Sequence, residues 1–228
     1  MNIHQRLLAS YPRNAGANFP VRLSVTNTDR IVSQTPAIVM PATVNAGDLL
    51  IMVLVCGSSS TFEINNPAGW TQVGTESVFG SIRTRVLYKI ADGSEAGGTV
   101  TINLTNNSNN VAQVHRIQAG TFNLSGPVEK ASATGLGSTM PCPTISPSWG
   151  LANTLWIAHV GANGSFSVGA WPYADGRSSI RPGTASATIP SIGSCYRQRT
   201  AASESPGSFT AGVGSYSYGT ETLAVRPI

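Results

Sequence analysis

The sequence predicts an all-β protein: two similar antiparallel β-sandwich, jelly-roll-like units behind a short irregular N-terminal arm. Three observations carry that expectation. First, Leu49-Leu50-Ile51-Met52-Val53-Leu54-Val55 is an unbroken apolar run between Gly47-Asp48 and Cys56-Gly57. Its length suits a strand buried on both faces and falls short of a membrane span. Second, other stretches alternate apolar and polar residues between Gly, Pro, Asn and Asp, and no window holds a sustained 3.6-residue apolar period, so strands predominate and helices are few. Third, motifs of the first half return in the second, about a hundred residues on.

Residues 1–20 stand apart as the arm. A single helical turn is expected at Ile3 to Leu8, and Pro12, Gly16 and Pro20 prevent a longer helix. Leu7, Leu8, Tyr11 and Phe19 are candidate anchors for docking on a neighbour; a frayed terminus is the alternative. The first unit, 21–120, opens with the alternating Val21-Arg22-Leu23-Ser24-Val25-Thr26 and continues with the Leu49–Val55 run. Arg83 to Ile90 is the next strand, closed by the turn residues of Ala91 to Gly98. Thr99 to Thr105 and Val111 to Ile117 complete the unit.

The second unit, 121–228, repeats this order. Pro143-Thr144-Ile145 followed by Leu155-Trp156-Ile157 answers to Pro41-Ala42-Thr43-Val44 followed by Leu49-Leu50-Ile51, and Trp171 answers to Trp70. Cys195 to Gly207 parallels Arg85 to Gly97, and Val225-Arg226-Pro227-Ile228 parallels Val114-His115-Arg116-Ile117. The segment Gly120 to Pro143 between the units holds strand-like pieces, unlike a flexible tether.

Composition excludes several function classes. Charged residues are 11% of the 228, against about a quarter in average globular chains. The net charge of +4 is spread without the basic stripe a nucleic-acid surface carries. No run is long enough to cross a membrane as a helix. Cys56, Cys142 and Cys195 are odd in number and lack a CxxC spacing, which points to buried thiols made in a reducing cytoplasm. The first ten residues hold no apolar core of signal-peptide length, so a leaderless protein is expected.

No motif carries chemistry. His4, His115 and His159 lack a second ligand at zinc spacing, although His115 and His159 would approach each other if the halves superpose. Asp48, Asp92, Glu95 and Glu204 sit in turn-like contexts, Asp48 as an acceptor of backbone N–H bonds, and no pair has the local pattern of a glycosidase. Ser58-Ser59-Ser60, Gly135 to Ser138 and Gly161 to Ser165 have neither the G-x-S-x-G order nor a Walker lysine, and no stretch is dense enough in Asp for calcium. No catalytic residue, metal or cofactor is therefore expected. Trp70, Trp156 and Trp171 are placed as core anchors by the repeat, while Trp149 and Tyr173, in loop-like settings, are candidate glycan contacts.

Pro41-Ala42-Thr43-Val44-Asn45-Ala46-Gly47-Asp48-Leu49-Leu50-Ile51, then Pro67-Ala68-Gly69-Trp70-Thr71, then Leu87 to Gly97 resemble a β-sandwich structural family of tailed bacteriophages and prophages. The resemblance covers about 36 to 119, in order and spacing, and beyond 120 the repeat only echoes it. It implies a virion structural protein with no catalytic residues to carry over. The expectation is a capsid decoration or cement protein, a homo-oligomer on the lattice of the major capsid protein or on other virion proteins. A tail or fibre, receptor-binding subunit is the first alternative. A carbohydrate-binding module recognising a host surface glycan is the second, and an enzyme accessory domain is the third and is disfavoured.

Overall fold

Turn residues at short intervals and β-branched, alternating runs between them leave the chain one regular structure to form. The computed structural model describes residues 18–57, 62–164, 167–180, 189–212 and 214–228, and every regular element among them is a strand. The first unit holds β1 (Arg22–Ser33), β2 (Ala37–Val39), β3 (Leu49–Gly57), β4 (Ile64–Asn65), β5 (Thr71–Gln72), β6 (Ser77–Phe79), β7 (Ile82–Ile90), β8 (Thr99–Thr101), β9 (Asn103–Leu104) and β10 (Ser108–Ile117). The second holds β11 (Val128–Gly137), β12 (Thr139–Pro141), β13 (Ala152–Asn163), β14 (Val168–Ala170), β15 (Asp175–Ile180), β16 (Pro190–Ala201), β17 (Ser208–Ala211) and β18 (Tyr216–Val225). The run expected over Thr99 to Thr105 divides at Ile102: β8 pairs with β2 and β9 with β4, and the Ile102 N–H turns to the Pro36 carbonyl. The strand-like pieces expected after Gly120 are β11 and β12, so the link between the sandwiches is confined to residues 118–127.

Each unit is a sandwich of one large antiparallel sheet and a smaller opposing layer. The large sheets run β1-β10-β3-β7-β5, with β6 also on β7, and β11-β18-β13-β16-β15. The outer layers are β2-β8 with β4-β9, and β12-β17-β14. The two large sheets lie face to face in the middle of the molecule. Leu49, Ile51, Val53 and Val55 accordingly point to the partner sandwich, and Leu50, Met52, Leu54 and Cys56 to their own outer layer. That explains the unbroken apolar run: side chains on both faces of β3 are sealed, each contributing about 1.5–3 kcal/mol.

The five-strand paths of the two large sheets match strand for strand, with β6 added in the first, and they stack in reversed order. β1 packs on β15, β10 on β16, β3 on β13, β7 on β18 and β6 on β11. That reversal is what a two-fold axis parallel to the strands produces when it passes between β3 and β13, the arrangement of an isologous dimer written into one chain. The register fixes the repeat and corrects the local alignment read from sequence. Leu49 faces Ile117 and Ile90 across its strands, as Leu155 faces Val225 and Gln198. Thr222–Val225, rather than Val225–Ile228, is thus the counterpart of Val114–Ile117, and Tyr196 answers to Tyr88. Sequence similarity at strand ends had slipped the match by two or three residues, because only cross-strand pairing fixes register.

Candidate functional site

One group of buried polar side chains, with Gln113, His115, His159, Ser194 and Glu221, lies in the layer between the sandwiches. One end of that layer is apolar, filled by Leu49, Ile51, Ile117, Phe122, Val128, Leu155, Ile157, Leu223 and Val225. Further along the strands it changes character. His159 on β13 lies between Ser194 on β16 and Glu221 on β18, all three with no exposed surface, and the His159 Nδ1 is 2.9 Å from Glu221 Oε2. A carboxylate, an imidazole and a hydroxyl in this order are the parts of a nucleophile relay. The geometry departs from one at the decisive joint: Ser194 Oγ and His159 Nε2 make no hydrogen bond to each other, and the apolar face of β3 covers them. Opposite, Gly161 leaves room for Val55: a Cβ there would lie 2.6 Å from Val55 Cγ2. Gly219, its cross-strand neighbour, makes the same room for Thr84. The arrangement packs two sheets and presents no nucleophile.

His115 on β10 occupies the other side of the layer. Arg22 Nε donates to its Nδ1 at 3.0 Å, and the Arg22 guanidinium lies 4.7 Å over the ring of Tyr196 in the second unit. Tyr196 in turn lies on Gly176, where a Cβ would come within 1.9 Å of the ring and where φ is +56°, so glycine is required twice over. Burial, then the charge of Arg22 and then His159, push the His115 imidazole well below its ordinary value. Burial likewise lowers Arg22 and Lys130, against the raising effect of Glu221 and Glu76 on Lys130. His115 on β10 and His159 on β13 both face the layer between the sheets. They are not repeat equivalents, however: the register matches His115 with Leu223 and His159 with Val53. Among the described residues no group of three His, Cys, Asp or Glu is placed to hold a metal ion.

The turn carboxylates serve the fold. Asp48 is buried, accepts from the Asn45 and Ala119 N–H groups at 2.8 and 2.9 Å, and pairs with Arg116 at 2.6 Å. Glu95 pairs with Lys89 at 2.6 Å, and Glu204 with Arg197 at the matching place in the second unit. The three thiols are buried and free, and burial raises each, Cys195 to about 12, so none is a thiolate nucleophile at neutral pH.

The residues singled out from sequence fall into three groups. Leu7, Leu8 and Tyr11 lie outside the described residues; Phe19 is half-buried, and beside it the Pro20 carbonyl accepts from Gln198 Nε2 at 2.8 Å. Trp70 and Trp156 are buried in the outer clusters of their units, whereas Trp171 is half-buried at the edge of its cluster, edge-on to Phe209 at 5.8 Å. Tyr173, expected at the surface, is instead 3% exposed. Its ring sits under the Arg197 guanidinium at 4.7 Å, and burial raises its hydroxyl. Trp149 is half-buried, with its Nε1 donating to Thr154 Oγ1 at 3.2 Å and Arg226 over its ring at 5.9 Å. Trp149 and Tyr173 therefore form no open aromatic platform. Ser194, Glu221 and Arg22 were missed from sequence; their parity on the strands is the signal that marks them, and only with the second sheet in place. With this geometry in hand, no family model, no curated protein and no solved structure matches the chain.

Proposed function

We propose that the chain is a non-enzymatic structural subunit of a bacteriophage virion, binding the major capsid protein lattice as a decoration or cement protein and acting as a homo-oligomer. One observation supports the non-enzymatic part: among the described residues both histidines, Ser194, Glu221 and the three thiols, the groups a nucleophile relay would use, are buried inside the molecule. What faces outward among the described residues is chemically plain, small polar residues with exposed apolar side chains at Leu136 and Leu151, while Leu124 and Ile228 line one apolar groove beside Phe122. Such a surface suits affinity summed over many small contacts. The virion setting rests on the resemblance of residues 36 to 119. The glycan-binding alternative has lost its expected platform with Tyr173 buried.

Cosedimentation of the purified chain with phage heads lacking it, viewed by negative-stain microscopy, tests the proposal. Binding at regular lattice points is the expected result. Labelling of tails or host cells, with bare heads, would move the assignment to a fibre or receptor-binding subunit.

A further inference from the structure

We infer that the open edge of β11 is where a second copy of this chain joins, strand to antiparallel strand, so that the large sheet of the second sandwich runs on into its partner. The inference rests on the homo-oligomer of the proposed function and names the surface that forms it. An edge strand turns every second N–H and C=O away from its one neighbour, which makes a template for another strand. Native folds blunt such edges by shortness, charge or a bulge.

Among the described residues, every other edge of the two large sheets is blunted in one of these ways. β1 is interrupted by register shifts between Arg22 and Ser24 and between Thr28 and Ile31, and the second shift carries the charged Asp29 and Arg30. β15 is six residues long, with a shift between Asp175 and Ser178. β5 and β6 are two and three residues long. β11 differs: its ten residues pair with β18 in ten consecutive steps without a shift, and among the described residues it pairs with no other strand. Beyond Glu129 and Lys130 it holds no charge, and it holds no proline. β1 and β11 are counterparts in the repeat, so the same edge is blunted in one sandwich and left open in the other.

The sequence of β11 fits pairing with itself. Residues directly opposite each other in a continuous sheet share a face, so a two-fold antiparallel pair is centred on a residue, and Ser132 or Ala133 is the centre that uses most of 128–137. Either centre sets Glu129 and Lys130 of one copy against Thr134, Gly135, Leu136 or Gly137 of the other, all uncharged. Leu136, 67% exposed on the face it shares with Ser132 and Thr134, gains cover from the partner strand. A single strand pair is a small contact, which places the dimer at the weak, concentration-dependent end of specific interfaces.

Sedimentation equilibrium of the full chain from about 5 to 200 μM, with hydrogen exchange of the β11 amides, is the test. The wild type is expected to dimerise within that range, and alternate β11 amides to slow in step with it. Thr134→Lys sets a charge either opposite Lys130 of the partner or diagonal to its own counterpart, and should raise the dimer dissociation constant at least about tenfold. Thr134→Val, and Val32→Lys at an exposed position of the blunted β1, should keep the wild-type constant. An oligomer that Thr134→Lys leaves intact overturns the β11 edge and leaves the homo-oligomer standing, whereas a monomeric wild type overturns both. Should Thr134→Lys not fold, the wild-type amides decide: protection of alternate β11 amides that rises with concentration supports the edge, and protection independent of concentration overturns it.

Discussion

At the internal two-fold the sandwiches contribute unequally. The first brings bulk, with Val53, Val55 and Val86 pointing into the middle layer, and the second brings His159, Gly161 and Ser194 at the same strand positions. In a homodimer such an exchange is forbidden, because residue i must meet j on both sides of the axis. Fusion into one chain lifts that restriction. The layer can then pair large with small, as at Val55 and Gly161, and gather its polar groups without repeating them.

The same inequality appears where the central strands begin, and it yields the largest expected effect. Asp48 precedes β3 and holds buried Arg116; Thr154 occupies the corresponding place ahead of Leu155 and only accepts from Trp149. Asp48→Ala leaves Arg116 buried without its partner and should cost about 3–5 kcal/mol. Thr154→Val should cost about 1 kcal/mol, since the half-buried Trp149 ring can turn to water. Urea unfolding of both variants measures the difference. Equal losses would mean that the two units are interchangeable at this position.

A smaller effect probes the axis itself. Gly161→Val pushes a branched side chain at Val55 and should destabilise by about 1–3 kcal/mol, the range for overfilling a packed layer. Val55→Ala removes the two methyls nearest the new side chain, so the double variant should recover at least about 1 kcal/mol over the sum of the singles. Additive losses would show that the sandwiches do not interlock there.

These positions mark where sequence reasoning succeeds and where it stops. β3 was legible because sealing both faces needs an apolar residue at every position, a signal that survives without knowing what does the sealing. β13 is buried from Thr154 to Ala162 with His159 and Gly161 among those residues, so its apolar run breaks and only the repeat of Leu155-Trp156-Ile157 marked it as the counterpart of β3. Ser194 and Glu221 sit in Gly-Ser-Cys and Thr-Glu-Thr contexts that read as wet strand faces, and become interior groups only because another sandwich covers them. Tyr173 and Trp171 exchanged places for a related reason. Both lie in a short irregular segment between β14 and β15, where no periodicity says which ring turns inward; the Arg197–Glu204 pair draws the tyrosine in.

The repeated ion pair gives the smallest expected effect and the sharpest test of whether a shared position means a shared role. Lys89 is one-fifth exposed, and Glu95 keeps the Gly93 N–H at 3.1 Å when the lysine is gone. Lys89→Met should therefore cost no more than about 1 kcal/mol, a loss that fades in 1 M salt, where charges are screened beyond about 3 Å. Glu204 is fully buried, has the more distant Arg199 at 3.7 Å and the nearby Tyr173 hydroxyl as its other partners, and shares Arg197 with the Tyr173 ring. Arg197→Met should cost more than Lys89→Met and keep its cost in salt, because it also strips the cover from a buried ring. If both variants lose the same small, salt-sensitive amount, Arg197 is merely a surface charge and the inward turn of Tyr173 needs another cause.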